Sequence, residues 1–335
     1  MSFPLGPSAI PDDSPVVQSA SPVIPSDFPV ILSVSEGSLS HDIADYPAGI
    51  VIPIDKPYRW TSADVIRKVK FAAFRHFRKK NLKVGHAGTL DPLATGVLLV
   101  CIGPACKRAQ EFQDHDKEYI AGIRFGATTP SYDLEKEVDR TFPYDGVTEE
   151  AVRAVLPSFL GTQEQVAPLF SAKSVDGVRA YEMARRMYRN AQKGLADPDF
   201  DAAALESLHH STITISDIEL LDFFEASAMT PRTKTFSPEK RSKKFCPTPG
   251  ADAPCSEAST ASSRINVADT SALGLPEAHI RIACSKGTYI RAFARDLGEA
   301  LGTGAHLSSL VRTQTGDFRI EDALSLEQAL ALLSE

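Results

Sequence analysis

The chain has 335 residues, of which 43% are hydrophobic and 24% charged, an ordinary balance for a protein with a sizeable core. We expect a cytoplasmic protein, because no run of residues could span a membrane and the N-terminus lacks the basic start and apolar core of a signal peptide. The five cysteines form no Cys-x-x-Cys pair and have no nearby His, which argues against a disulfide framework and against a bound metal such as zinc.

Charge is unevenly distributed along the chain, whose formal net charge is -7. Residues 1–48 are acidic, rich in Pro and Ser and free of Lys and Arg, so we expect a disordered tail. Residues 59–83 instead contain nine basic residues and a single acid, Asp64. This basic stretch could be a solvated helix face, the commoner case for charge runs, or a surface that contacts nucleic-acid phosphates.

Hydrophobic periodicity and capping residues predict alternating strands and helices after the tail. The first half of the chain should contain strands over 49–54, 97–102 and 119–125, and helices over 61–77, 105–114 and 148–159. The second half should contain a helix over 180–189, strands over 213–215, 218–224 and 279–284, and a helix over 289–301. Helices that interleave with strands of either direction predict an α+β fold with a mixed sheet.

Two further segments complete the predicted organisation. Residues 226–277 are dominated by Ser, Thr, Pro, Ala and charge and are far longer than an ordinary connection, so we expect a disordered insertion there. Ser325 and Gln328 form a capping box that begins a short C-terminal helix within residues 321–335.

Residues 84–100 combine a glycine-rich turn with one carboxylate, Asp91, and lead into an apolar strand. Gly85, Gly88 and Gly96 permit backbone conformations that other residues avoid and let a ligand approach the main chain. Pro92 stiffens the chain directly after the acid. The turn is therefore a candidate active site, although an Asp-Pro pair also begins helices, with Asp as the N-cap and Pro at the first helical position.

The run Gly85-His86-Ala87-Gly88-Thr89-Leu90-Asp91-Pro92-Leu93-Ala94-Thr95-Gly96 resembles the signature of the tRNA pseudouridine synthase B family. Five other runs follow in that family's order: Asp55-Lys56-Pro57, Asp116-Lys117-Glu118-Tyr119, Phe170-Ser171-Ala172-Lys173, Cys284-Ser285-Lys286-Gly287-Thr288-Tyr289-Ile290-Arg291 and Gly304-Ala305-His306-Leu307. The resemblance covers about residues 48–225 and 278–320. It implies a pseudouridine synthase catalytic domain over residues 49–320, with a mixed, largely antiparallel sheet flanked by helices.

The resemblance also implies roles for individual residues. Asp91 resembles the nucleophile, Tyr119 the ring that stacks on a flipped uracil, and Arg291 the guanidinium that pairs with Asp91. On spacing alone, a strand Tyr is more often a packing residue, and an Arg at a helix start could bind any neighbouring acid.

Three further residues are candidates for substrate binding. His86 resembles the residue that enters the RNA loop and fills the space left by the flipped base, although a His between glycines is more often a hydrogen-bonding loop residue. Lys107 and Tyr289 lie in similar surroundings and are secondary candidates.

The implied reaction converts uridine at position 55, in the T arm of tRNA, into pseudouridine, by a monomer that uses no cofactor and no metal. The chain departs from the family at three places, one of which is Ser174 after Lys173, where many members carry two lysines. An acid usual in the family is replaced by Pro130 in the run Thr129-Pro130-Ser131-Tyr132-Asp133. Only nineteen residues follow Gly316, so we expect no C-terminal PUA domain, a small RNA-binding module that many members carry.

Three other functions compete with this interpretation. A tRNA-folding chaperone would need no paired carboxylate. A glycoside hydrolase would need a second acid at a defined separation, which no motif supplies. Guide-RNA-dependent relatives of the dyskerin type share a similar Asp turn, but they usually carry the PUA domain.

Overall fold

The computed structural model describes residues 30–31, 39–168, 174–175, 178–179, 210–226, 265 and 267–334. The predicted helix over 180–189 lies outside the described residues, as do most of the predicted tail and most of the predicted insertion. No helix in the described ranges is long and apolar enough to cross a membrane.

The described ranges contain strands and helices that follow one another throughout the chain. The strands are β1 (Val30–Ile31), β2 (Ile50–Lys56), β3 (Val84–Ala87), β4 (Ala94–Ile102), β5 (Lys117–Phe125), β6 (Ala127–Thr128), β7 (Arg140–Thr141), β8 (Gly161–Val166), β9 (Ser174–Val175), β10 (Val178–Arg179), β11 (His210–Phe224), β12 (Glu277–Cys284), β13 (Ala305–Thr315), β14 (Phe318–Arg319) and β15 (Leu324–Ser325). The helices are α1 (Ser62–His76), α2 (Ala109–Asp114), α3 (Glu149–Val155), α4 (Ile290–Ala300) and α5 (Leu326–Leu332).

One large sheet organises the domain, with strand order β1-β2-β4-β13-β5-β12-β11-β8. Most neighbours are antiparallel, while β13 runs parallel to β4, and β1 and β15 run parallel to β2. β3 pairs with β4 away from this main path. The α+β class and the mixed, largely antiparallel sheet predicted from the sequence are confirmed.

Both faces of the sheet are covered, which explains why β4 is a continuous apolar run. Leu98 and Val100 join the larger core cluster, which also contains residues of α1, α4 and α5. Val97 and Leu99 point the other way and pack in a second cluster with Phe112 of α2. Because successive side chains of a strand point to opposite faces, a strand buried on both faces needs apolar residues at every position.

The predicted helices that fall within the described ranges occur, with small shifts at their ends. Thr61 caps α1, and its side chain and that of Asp64 form a reciprocal capping box. Ser325 and Gln328 do the same at the start of α5, as predicted. The two strands predicted at 213–215 and 218–224 are one strand, β11, and sequence reasoning did not predict β8 or β13.

The packed core also includes residues before 49 and residues before 278. Leu39 and Ile43 are buried in the main core. Ala268 is also buried, and the hydroxyl of Thr270 accepts a hydrogen bond of 2.7 Å from Arg124 of β5. Apolar side chains in otherwise polar stretches account for these extensions.

Candidate active site

Asp91 lies in the connection between β3 and β4, and α1 holds this connection in place. The Ser62 hydroxyl accepts a hydrogen bond from the Leu90 amide at 2.9 Å and donates to the Leu90 carbonyl at 3.1 Å. The Ala94 amide donates to the Asp91 carbonyl at 3.1 Å, which closes a turn. The alternative in which Asp91 begins a helix is wrong, because strand β4 starts at Ala94.

Gly96 allows β4 to approach β13 closely beside this turn. Its φ of +97° lies in the left-handed region, and a Cβ atom there would lie 2.1 Å from the Arg312 carbonyl oxygen. The Gly96 amide donates to the Asp55 carboxylate at 3.0 Å. Any side chain at this position would push apart the parallel strands β4 and β13 beside the turn.

The Asp91 carboxylate forms a two-point ion pair with Arg291, the second residue of α4. Arg291 Nε lies 2.8 Å from Oδ2 of Asp91, and Nη2 lies 3.2 Å from Oδ1. The Arg291 side chain is only 6% exposed, whereas that of Asp91 is 38% exposed. Burial opposes the charge of Arg291, but Asp91 and Asp133 outweigh it and raise the pKa of the guanidinium. The acid is therefore held in one orientation with its outer side open to a ligand.

Asp133 is a second carboxylate beside Arg291, and sequence reasoning missed it. Its Oδ2 lies 3.9 Å from Arg291 Nε, and its Oδ1 accepts hydrogen bonds from the Ser131 hydroxyl and the Glu135 amide. Burial raises the pKa of Asp133, although Arg291 opposes this effect. The run from Thr129 to Asp133 lacks the first acid that is usual in the family but retains the second, Asp133. This retained acid is the sequence signal that could have indicated a second carboxylate in the site.

Tyr119 and Arg312 lie opposite each other on β5 and β13. Arg312 is almost fully buried; its Nε donates to the Val97 carbonyl at 2.7 Å and its Nη2 to the Gly88 carbonyl at 3.2 Å. Burial raises the pKa of the Tyr119 phenol, whereas the charge of Arg312 and its hydrogen bond to the phenol oppose this change. Arg312 therefore connects the glycine-rich turn to the aromatic residue, and no sequence motif had indicated it.

Lys56 provides a buried cation beneath the turn. Its ammonium donates to the carbonyls of Pro57 at 3.0 Å, Trp60 at 2.6 Å and Pro92 at 3.3 Å, so each N–H has an acceptor. Burial lowers the pKa of Lys56 to about 7, with Asp91 as the main opposing influence. The contact to Pro92 fixes the backbone directly after Asp91.

An open cleft lies above these groups, with about 1590 Å³ of empty space when the solvent at its mouth is included. Four of the six predicted site residues line it, namely Asp91, Tyr119, Tyr289 and Arg291. The Tyr289 backbone is fixed by Gln165, whose side chain accepts from the Tyr289 amide at 2.8 Å and donates to its carbonyl at 3.2 Å.

The other two predicted site residues lie elsewhere. His86 is a half-buried residue of β3, opposite Val100 of β4, and burial lowers the pKa of its imidazole. Lys107 is exposed in the short 3-10 helix Gly103–Arg108. Neither residue is among those that line the cleft. Their roles stay predictions.

The described residues contain no group of three or more His, Cys, Asp or Glu side chains arranged to hold a metal ion.

Two family models match the chain. The TruB family pseudouridylate synthase (N terminal domain) matches residues 75–231, and the tRNA pseudouridylate synthase B C-terminal domain matches residues 291–334. The first match contains the Asp91 turn, and the second contains Arg291 and Arg312. The chain also aligns with a crystal structure of a Cbf5-Nop10-Gar1 complex at 22% identity and a TM-score of 0.48, covering 85% of this chain and 54% of that one.

Curated relatives extend the match to most of the chain. A tRNA pseudouridine synthase B of Phocaeicola vulgatus is 42% identical over 283 residues, which cover 84% of this chain and 92% of the relative. A tRNA pseudouridine synthase B of Deinococcus radiodurans is 36% identical over 279 residues, covering 83% of this chain and 77% of the relative. The chain therefore belongs to the tRNA pseudouridine synthase B family and is an isomerase of that family.

Proposed function

We propose that the protein isomerises uridine 55, in the T arm of tRNA, to pseudouridine, with Asp91 as the nucleophile acting on a flipped-out base. Family membership supports pseudouridine formation in tRNA. The main support for the mechanism is the two-point pairing of a cleft-lining carboxylate with a buried arginine.

The reaction breaks the bond between uracil N1 and ribose C1′ and forms a bond between C5 and C1′. The hydrogen on C5 leaves as a proton, and N1 gains a proton. Substrate and product therefore contain the same atoms, and no oxidant is needed. Asp91 supplies a carboxylate that can attack an electron-poor sugar or base. Arg291 favours the charged form of this carboxylate, because a nearby opposite charge stabilises ionisation.

A stacked uridine in an RNA loop cannot reach Asp91, so the base must leave its stack. Tyr119, on the wall of the cleft, offers an aromatic face for the extruded uracil. Tyr289 lines the same cleft and is positioned to contact the nucleotide. We assign His86 to the space that the base vacates and Lys107 to an RNA phosphate.

Hydrolysis of the glycosidic bond is the strongest competing reaction, because Asp133 supplies a second carboxylate near the first. Asp133 is buried, however, and one of its oxygens accepts two hydrogen bonds from within the protein. It is therefore poorly placed to activate water, and we assign it to holding Arg291. We further propose that the enzyme acts in the cytoplasm, as a monomer and without a cofactor.

The test is to incubate an unmodified tRNA transcript with Asp91→Asn enzyme and map pseudouridine at nucleotide resolution. We expect turnover to disappear while tRNA affinity stays within a few-fold of wild type, because affinity depends mainly on phosphate contacts. Asp317→Asn, the same change at an exposed position, should retain full activity. Substantial pseudouridine formation by Asp91→Asn would refute the mechanism, and release of free uracil by wild type would favour hydrolysis.

A further inference from the structure

The outer surface of α1 and the connection to β3 carries seven exposed cations. This set, which we call the basic face, consists of Lys68, Lys70, Arg75, Arg78, Lys79, Lys80 and Lys83. None of them forms an ion pair with another described residue, whereas Arg67, one turn before Phe71, is paired with Asp64 at 2.8 Å. Unpaired like charges repel one another, so a face of this kind is better stabilised by an external polyanion than by its own neighbours.

Two of the cations are held against aromatic rings of the same helix. Lys70 Nζ lies 5.4 Å from the centre of the Phe74 ring, and the Arg75 guanidinium lies 5.8 Å from that of Phe71. Phe71 is itself 64% exposed. Ring contacts of this kind restrict long side chains and leave their charged ends in solvent. The side chains therefore lose less conformational entropy when a ligand binds.

The segment that carries the basic face, from Ser62 to Lys83, is connected to the active turn at both of its ends. At the start of α1, Ser62 bonds to Leu90, next to Asp91. At the other end, Lys83 precedes β3, and an extended chain of eight residues from Lys83 to Asp91 spans at most about 28 Å. An RNA with one nucleotide at Asp91 therefore needs to extend only a few tens of ångströms to reach these cations.

We propose that the basic face binds phosphates of the tRNA substrate beyond the nucleotide held at Asp91, and so supplies affinity without taking part in the chemistry. The proposal rests on tRNA being the substrate of the cleft. RNA phosphates match the face because they present regularly spaced single charges, which Lys and Arg neutralise with release of counterions.

The experiment measures the dissociation constant of full-length enzyme for an unmodified tRNA transcript over a series of salt concentrations. Lys79→Gln/Lys80→Gln should weaken binding about tenfold and reduce the slope of log affinity against log salt by about 1.5 to 2. Lys68→Glu/Lys70→Glu, on the helix itself, should weaken binding at least as much. Single-turnover rates at saturating enzyme should stay within about twofold of wild type.

The matched control is Arg140→Gln/Arg153→Gln, which removes two exposed cations from other elements, although Arg153, unlike the basic face, is paired with Glu149 at 2.6 Å. Arg140 of β7 lies opposite Thr128, which follows the C-terminal end of β5. Tyr119 lies near the N-terminal end of β5, so Arg140 is remote from it along the strand. Affinity and salt slope equal to those of this control would overturn the proposal. Because binding is measured separately from modification, the result holds whether or not uridine 55 is the target. The melting temperature of each variant verifies that it folds.

Discussion

Among single residues other than Asp91, Arg291 has the largest predicted effect on the chemistry. Arg291→Lys keeps the positive charge but loses the two-point contact with Asp91, so the carboxylate should lose its fixed orientation. We expect single-turnover rates to fall by about one to two orders of magnitude, while tRNA affinity changes less than about threefold. Arg295→Lys, one turn further along α4 and paired with Asp296, is the control. Equal losses of rate and affinity would show that Arg291 acts by binding RNA.

Lys56 should make stability depend on pH. Its pKa is about 7 in the folded protein against 10.5 for an ordinary Lys, so between these values the unfolded chain binds more protons. The free energy of unfolding should therefore rise with pH above 7, by on the order of 2 kcal/mol up to pH 9, and fall as pH drops through 7.

The measurement for Lys56 is denaturant unfolding of wild type and Lys56→Met at pH 6, 7, 8 and 9. The difference in stability between them should grow with pH in favour of wild type. The exposed substitution Lys80→Met should follow the wild-type profile. A constant difference between wild type and Lys56→Met would show that Lys56 keeps its proton throughout this range.

Among elements, the segment from Leu39 to Ile43 has a testable structural role. Leu39 and Ile43 are buried in the core, and His76 Nε2 of α1 donates to the Ser40 carbonyl at 3.1 Å. Burial of two such aliphatic side chains contributes about 3 to 6 kcal/mol as an upper estimate. A chain that starts at residue 49 should therefore be less stable than one that starts at residue 39 by several kcal/mol in urea unfolding. Equal midpoints and slopes would show that residues 39–48 add no stability to the fold.

Prediction from sequence succeeded for elements with a regular pattern and failed where the pattern is interrupted. β13 was missed because its register against β5 shifts between Leu307 and Ser309 and again between Arg312 and Gln314. Each bulge reverses the alternation of inward and outward side chains, so period-two reasoning finds no strand. β11 was divided into two strands for the same reason, since one of its bulges lies between Ile215 and Asp217.

For the molecule as a whole, the architecture and part of the candidate site could be predicted, but the buried charges could not. The motif around Asp91 and the resemblance indicated Asp91, Tyr119, Tyr289 and Arg291, which line one cleft. Asp133, Lys56 and Arg312 are charged residues that would ordinarily be expected at the surface. Their burial depends on partners that are remote in sequence, such as the Val97 carbonyl for Arg312. A local sequence pattern cannot predict such a contact.

The position of β13 between β4 and β5 has a consequence for synthesis of the protein. β4 carries the Asp91 turn and β5 carries Tyr119. Among the described strands, the one neighbour that the two share is β13, which is made more than two hundred residues after the turn. A nascent chain that ends before residue 305 holds two separate halves of the sheet, and it lacks Arg312. Because the described strands join the two parts of the site only through β13, we expect activity to begin only after this strand has left the ribosome.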